Sequence, residues 1–175
     1  KAPRFILTGS SARKLRRSSS NLLAGRLLRK EFYPLVYKEL GESFSLQNYL
    51  RFGGLPLVAL ATSEREKHEL LEAYCYTYLK EEIQQEAVVK DLGSFSRFLE
   101  VSAILNGQVL NISNVAAETG TSRSTVQGYF EILIDTLIGF VLPAFRPKRK
   151  IKESEHSKFY FFDPGVVRTL SGRVR

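Results

Sequence analysis

The sequence predicts a mainly α-helical protein with a small β component, in which a helical region precedes a winged helix-turn-helix. Three observations predict this fold. Residues 115–129, VAAETGTSRSTVQGY, fit two helices joined by a tight turn. Residues 63–89 form the longest stretch with helical periodicity. Two strand-like runs, 141–145 and 158–162, flank a polar and basic segment, which is the pattern of a wing hairpin.

The helix-turn-helix is predicted from the residue types at its turn. Ala116 is small enough for the first helix to approach the second closely. Gly120, four positions later, can adopt the left-handed conformation between the helices. Ser122 is a suitable N-cap for the second helix, because its hydroxyl can accept from backbone N–H groups of the first turn. The predicted interhelical core positions are Val115, Val126 and Tyr129.

Polar residues of the second helix and of the wing are the candidate DNA-binding residues. If the second helix entered a major groove, Arg123 could pair with guanine and Gln127 with adenine. Basic wing residues would meet phosphates, and about five such contacts predict a log–log salt slope near −4 or −5. The candidates on the helix are Ser122, Arg123, Ser124 and Gln127. Those on the wing are Arg146, Lys148, Arg149, Lys150 and Lys152.

Charge is distributed in three blocks that the net value of +8 conceals. Residues 1–30 hold nine basic and no acidic residues, 31–142 hold eight against fifteen, and 143–175 hold nine against three. Two basic ends therefore flank an acidic middle. This argues against a uniformly basic nucleic-acid binder and favours local patches, although solvated faces would give the same counts.

The remaining elements follow from short local patterns. An apolar run at 4–8 predicts a buried strand, and 32–37 a second strand. A helix over 44–51 is predicted to end at Gly53-Gly54, with Pro56 as a further stop signal. The helix from residue 63 has Ser63 as N-cap and Glu66 at the capping-box position. Two more helices are predicted, one over 95–105 and one with Asp163 as its N-cap and Pro164 at its first position.

Catalytic and metal motifs are mostly missing. There is no Gly-Lys-Ser/Thr phosphate loop, and the apolar run before Asp135 belongs to a segment of helical period instead of a Walker B strand. His68 and His156 lie in polar strings and are expected to be solvated. The single cysteine, Cys75, is expected to be a packed thiol in a reducing cytoplasm. No metal site and no membrane span is expected.

Several segments in the same order resemble the AAA+ type P-loop ATPase family of bacteria and archaea. They are RFILTGSSARKL, LLAGR, YLRFGGLP, the stretch from DLGSFSRF to GYFEIL, and KFYFFDPGVVR. In that family a winged-helix region follows the ATPase core, and a further domain of unknown function follows the winged helix. The resemblance implies that residues 1–38 end an α/β ATPase core, 39–92 form a helical lid or linker, and 93–175 form the winged helix-turn-helix domain.

The resemblance also implies roles for residues near the start of the chain. Thr8, Ser10 and Ser11 match the sensor-1 position, where a hydroxyl contacts the γ-phosphate or the attacking water. Arg26 matches an arginine finger, with a surface cation as the alternative. ATP and Mg would be cofactors of the full-length parent protein, whose Walker A and Walker B elements would lie before Lys1. This chain alone is expected to bind neither and not to hydrolyse ATP.

Three functions remain open from the sequence. The chain is interpreted as a piece of an AAA+ type ATP-binding protein whose winged helix couples nucleotide state to DNA or partner binding. One alternative is a stand-alone winged-helix transcription regulator. The other is a protein interaction module that contacts other subunits of the same assembly. The hypothesis of a protein interaction module predicts that residues 146–152 contact acidic residues such as Glu64, Glu66 and Glu69.

Overall fold

The computed structural model describes residues 6, 28, 30–79, 91–145 and 157–172. Within these ranges the protein is mainly helical, with one antiparallel pair of strands. The helices are α1 (Tyr37–Leu40), α2 (Leu46–Phe52), α3 (Pro56–Leu60), α4 (Glu64–Ala73), α5 (Leu92–Ile104), α6 (Ile112–Thr119), α7 (Arg123–Asp135) and α8 (Pro164–Leu170). The strands are β1 (Gly139–Leu142) and β2 (Lys158–Phe161). A 3-10 turn, Gly41–Ser43, follows α1, and a π-helical turn, Tyr74–Tyr78, follows α4.

Local signals begin and end the helices of the first half. The Ser45 hydroxyl accepts from the amide of Asn48 at the start of α2, and Gly53 ends that helix at φ 76°. The Ser63 hydroxyl accepts from the amide of Glu66, so the predicted cap of α4 is confirmed. The Glu66 carboxylate accepts in turn from the amide of Thr62. The two serine caps satisfy N–H groups that a helix start would otherwise leave without a partner, and the Glu66 contact holds the residue before the cap.

The second half has the element order of a winged helix. Helix α5 comes first, and Val109 then forms an antiparallel bridge with Lys158 of β2. Helices α6 and α7 follow, and the β1–β2 pair completes the unit with Gly139 opposite Phe161 and Leu142 opposite Lys158. The predicted fold class is confirmed. The bridge at Val109 supplies a third strand position, which no local sequence pattern predicts.

Aromatic rings fill the core between α5, α7 and the sheet. Tyr129 of α7 meets Phe95 edge-on at 4.9 Å and Phe98 at 5.1 Å between ring centroids. Phe130 meets Phe98 at 4.8 Å and Phe159 of β2 at 4.8 Å. Three of these pairs pack edge to face and the Phe98–Tyr129 pair is tilted, and aromatic contacts at such distances stabilise the core beyond the effect of burying apolar area. The wing strands are thereby attached to the helix-turn-helix through one aromatic cluster.

A buried carboxylate joins the two halves of the fold. Asp163 is the predicted N-cap of α8, and its Oδ1 accepts from the amides of Gly165 and Val166. Its Oδ2 accepts at 2.7 Å from the amide of Gly54, which lies 109 residues earlier. The side chain is fully buried. Burial raises the pKa of Asp163, and the backbone N–H groups around it oppose that rise.

Glycine is required where α8 meets the end of α2. At Gly53 a Cβ would overlap the Asp163 carboxylate. At Gly165 a Cβ would overlap the Phe52 carbonyl oxygen. The Asp163 side chain and the α8 backbone therefore approach the end of α2 so closely that no side chain fits at Gly53 or Gly165. This contact positions the helices of the first half against the winged helix.

Three sequence predictions in the first half are wrong. Residues 32–37 form no strand: Phe32 is 88% exposed, Tyr37 begins α1, and Pro34 between them lacks an N–H for a ladder. Pro56 stops no helix but begins α3, since its fixed φ suits the first helical turn. His68 is half-buried instead of solvated, with its ring 5.1 Å from that of Phe52.

Two element boundaries in the second half differ from their predictions. Helix α5 starts at Leu92 instead of residue 95, because the Asp91 carboxylate caps it by accepting from the amides of Gly93 and Ser94. Strand β1 runs over 139–142 instead of 141–145, and Pro143 follows its last residue. The helical assignment of the run before Asp135 is confirmed.

Among the described residues, no helix has the length and apolar character needed to cross a bilayer. The same part of the chain holds no group of three or more histidine, cysteine, aspartate or glutamate residues arranged to hold a metal ion.

Candidate nucleic-acid interface

The turn between α6 and α7 has the predicted left-handed residue. Gly120 lies at φ 66° and ψ 27°, just after Thr119 ends the first helix. The amide of Thr121 donates to the Ala116 carbonyl at 3.1 Å, and the amide of Gly120 donates to the Ala117 carbonyl at 3.3 Å. These are the paired bonds of a Schellman-type helix end. They set the direction in which the chain enters α7.

A buried hydroxyl stabilises the same turn from within. Thr119 is 1% exposed, and its hydroxyl donates to the carbonyl of Val115 at 2.7 Å. It also lies 2.9 Å from the hydroxyl of Thr121. The turn is therefore fixed on both sides of Gly120. Thr119 was not singled out from the sequence, because no local pattern marks this hydroxyl as buried.

The predicted interhelical core positions are all buried. Val126 is 0% exposed and Val115 is 1% exposed. Ala116 and Tyr129 are each 7% exposed. Small Ala116 lets the two helices approach closely while Val126 fills the space between them. The helix-turn-helix geometry inferred from these residue types is therefore confirmed.

The start of α7 carries the predicted cap and an exposed polar face. The Ser122 hydroxyl accepts from the amide of Thr125 at 3.1 Å, and the hydroxyls of Ser124 and Thr125 lie 2.9 and 2.8 Å from it. Arg123, Ser124 and Gln127 are exposed. Their outward orientation is confirmed, and a ligand can reach them without any rearrangement of the core.

Acidic residues lie on the same surface. Glu131 follows Gln127 by one helical turn on α7, and Glu118 lies near the end of α6; both are exposed. In the described residues of the winged helix, 91–145 and 157–172, four basic residues stand against six acidic ones. The segment 146–156 holds five basic residues against two acidic ones. Most of the positive charge available to this surface therefore belongs to the wing sequence.

Residues 43–174 match the family described as Domain of unknown function (DUF8612). The chain belongs to this family. The match includes α2, the Asp163 contact and every element of the winged helix.

Longer proteins are similar to this DUF8612 chain. Uncharacterized protein Rv2008c of Mycobacterium tuberculosis is 26% identical over 169 residues, which cover 97% of the chain and 38% of the relative. Uncharacterized protein Mb2031c of Mycobacterium bovis gives the same values. Uncharacterized protein MJ1544 of Methanocaldococcus jannaschii is 24% identical over 182 residues, covering 91% and 41%. The chain thus spans about two fifths of these relatives' length. No solved structure matches it.

Some predicted site residues lie outside the described part of the DUF8612 chain. They are the sensor-1 candidates Thr8, Ser10 and Ser11, the finger candidate Arg26, and the wing residues Arg146, Lys148, Arg149, Lys150 and Lys152. The predicted strand at 4–8 lies there too, apart from Ile6, which is 89% exposed. The roles of all these residues, and the domain division at residues 38 and 92, stay predictions.

The acidic residues proposed as partners of the wing have other contacts. Glu64 forms a bidentate pair with Arg51, at 2.7 and 3.0 Å, and this hydrogen bond is the main reason that the pKa of Glu64 is lowered. Glu69 accepts from Arg65 at 2.8 Å. Arg51 comes directly before the buried Phe52 in the sequence. Its pairing with Glu64, 13 residues later, is not evident from the linear sequence.

Proposed function

We propose that this DUF8612 chain belongs to an AAA+ type ATP-binding protein and that its winged helix binds duplex DNA. The exposed, Ser122-capped start of α7 is the observation that carries the DNA-binding part. A helix-turn-helix whose second helix begins with outward polar residues is the geometry that major-groove readers use. The AAA+ part of the proposal rests on the ordered sequence segments quoted above. The relatives are long enough to include an ATPase core besides the segment that this chain matches.

Arg123 and Gln127 are the residues proposed to contact bases. Both are exposed and one helical turn apart, so they project from the same face of α7. Arginine can donate two bonds to guanine, and glutamine can donate to and accept from adenine. The N-terminal end of α7 also carries the positive end of the helix dipole, which favours phosphate.

Basic wing residues are proposed to supply most of the affinity. The described winged helix carries more acidic than basic residues, so it would not attract a polyanion unaided. The residues Arg146, Lys148, Arg149, Lys150 and Lys152 are the five basic ones between β1 and β2. Neutralising about five phosphates gives a log–log salt slope near −4 or −5.

Fluorescence anisotropy with labelled duplex DNA tests the proposal. For the wild type, the slope of log affinity against log salt concentration should lie near −4 or −5. A variant with the five wing residues changed to glutamine should have a slope much closer to zero. Arg123→Ala should weaken binding by about tenfold, whereas Arg97→Ala, on the exposed side of α5, is the matched control and should not. Binding that does not change with salt would contradict the proposal.

Nucleotide chemistry is tested on the longer protein. ATP hydrolysis should require Arg26 if that residue acts in trans on a neighbouring subunit, and Arg26→Ala should then reduce turnover by about a thousandfold with unchanged folding. Thr8→Ala should lower turnover in the same assay. A well-folded full-length protein without hydrolysis, with or without DNA, would end the ATPase proposal but not the DNA-binding one.

A protein partner is the second candidate, because Glu131 lies one turn beyond Gln127 on the proposed contact face. Close to phosphates this carboxylate would be repelled, so Glu131→Gln should strengthen DNA binding by a few-fold. An unchanged DNA affinity in this variant, together with loss of subunit association, would favour the protein interface instead.

A further inference from the structure

A short aromatic stack lies on the sheet face opposite the core. Phe140 of β1 pairs with Tyr160 of β2, and their rings stack with centroids 5.6 Å apart and planes at 17°. On the other side of β2, the bridge between Val109 and Lys158 sets a register that brings Gly107 opposite Tyr160. A Cβ at Gly107 would stand 3.0 Å from the tyrosine ring. Tyr160 is thus covered by backbone on one side and by Phe140 on the other.

Phe140 is the outer end of this stack. Its side chain is 49% exposed, and Tyr160 is the ring that contacts it within the described residues. As far as the sheet is described, β1 is its edge strand. The neighbouring row of the same face holds Leu142, Lys158 and Val109, with Leu142 50% and Val109 51% exposed. A planar group of another molecule can therefore continue the stack on Phe140.

Charge at this face favours an anionic partner. Lys158 is exposed and lies one row from the stacked rings. Strand β1 leads into the segment 146–156, with its five basic and two acidic residues, and β2 follows that segment. A ligand that presents planar apolar groups and regularly spaced negative charges satisfies both features. Single-stranded nucleic acid has this chemistry, because its unpaired bases expose their ring faces.

We propose that the outer face of the sheet binds single-stranded nucleic acid, with an unpaired base stacked on Phe140 and a backbone phosphate near Lys158. The stacking site on Phe140 lies apart from the α7 residues proposed to contact duplex bases, while the basic segment 146–156 is shared by both proposals. Single-strand binding goes beyond the function proposed above. A duplex cannot use it in the same way, because its bases already stack on one another. The two sites together would suit a junction between duplex and single strand.

The first test uses a tryptophan reporter. The chain contains no tryptophan, so Phe140→Trp places a single indole at the end of the stack. Saturation with a short oligodeoxythymidine should quench its fluorescence strongly, because stacked bases quench indole. Phe32→Trp is the matched control, since Phe32 is 88% exposed and lies before α1. Equal response of the two reporters would overturn the proposal.

The second test separates this site from the helix-turn-helix. Phe140→Leu keeps an apolar side chain but removes the ring, and it should weaken oligodeoxythymidine binding by about tenfold. Tyr160→Phe keeps the ring and should not. Arg123→Ala should leave single-strand binding unchanged, and Phe140→Leu should leave duplex binding unchanged. Circular dichroism checks the fold of each variant.

Unaltered single-strand affinity in Phe140→Leu would overturn this inference and leave an apolar interface with another polypeptide as the explanation of the exposed face. The proposed duplex function would be unaffected by that result. Conversely, if only Arg123→Ala fails to show its expected effect and binds duplex DNA as tightly as the wild type, the duplex proposal is wrong and the sheet proposal is unaffected.

Discussion

Asp163 has two structural roles that a single side chain must satisfy at once. One oxygen caps α8, and the other accepts from Gly54 in a distant part of the chain. Both oxygens are therefore required as acceptors. An asparagine keeps the size of the side chain but replaces one acceptor with an amide group, which would face a backbone donor.

Asp163→Asn should consequently lower the free energy of unfolding by about 3 kcal/mol, since buried donors lose their acceptor. Urea denaturation followed by circular dichroism measures the change. Asp91→Asn is the matched control: Asp91 also caps a helix but is exposed, and asparagine caps about as well as aspartate. A control as destabilised as the Asp163 variant would show that the long-range contact contributes nothing.

Cys75 should be unreactive in the folded protein. Burial is the main cause that raises its pKa from 9.0 to about 12, and the charge of Asp163 adds to it. The thiolate population at pH 8 should fall about a thousandfold, and labelling by a disulfide reagent should slow at least as much. Because this is the only cysteine, the reaction reports on one site. Rapid labelling without denaturant would contradict the packed position.

The same rise in pKa makes stability depend on alkaline pH. The pKa of the Cys75 thiol is higher in the folded protein than in the unfolded chain. The stability that the buried neutral thiol contributes is therefore fully present below the unfolded pKa. It is lost as the pH rises toward about 12.

At the scale of elements, two glycines of the helix-turn-helix should respond oppositely to alanine. Gly120 has φ 66° with nothing within 4 Å of a Cβ, so Gly120→Ala adds strain and should destabilise by about 1 kcal/mol. Gly128 lies within α7, also with open space around a Cβ, and Gly128→Ala should stabilise by up to about 1 kcal/mol. Thermal unfolding of both variants measures the difference; changes of the same sign would contradict the turn geometry.

Elements with local signals were predictable from the sequence. Ser122, Gly120 and Asp163 act on backbone within a few residues of themselves, and each was assigned its cap or turn correctly. The same holds for Ser63. The polar face of α7 followed from the helical period once the turn was placed.

Elements that depend on distant partners were not predictable in this way. The strand position at Val109 exists because Lys158 lies opposite it, and no local pattern marks a single bridged residue. Gly53 and Gly54 predicted the end of a helix. Their second role is to leave space for Asp163 and the α8 backbone, which the local sequence does not indicate. The run 32–37 had strand-forming residues, but no strand among the described residues pairs with it.

At the scale of the whole molecule, one core crosses the predicted boundary at residue 92. Cys75 and Leu79 belong to the same buried cluster as Phe95, Val126 and Phe159. Helix α8 packs on α2 as well as on α5. Burial shared between two segments couples their unfolding.

The described residues should therefore unfold in one transition. Amides of α2, α4 and α7 should exchange with the same opening free energy when hydrogen exchange is followed by mass spectrometry in low urea. The short helix α1 is the internal control, because it has no buried residue and should exchange faster. Opening of α2 and α4 well before α7 would show two independent units.

The pairing of Leu142 with Lys158 has an evolutionary consequence. It fixes the two ends of the intervening segment, and Phe159 anchors that base in the core. Doubling the length of a closed loop costs only about 0.6 kcal/mol. Insertions and charge changes between these two residues are therefore inexpensive, so descendants of one ancestor can acquire different ligands there while inheriting an unchanged scaffold.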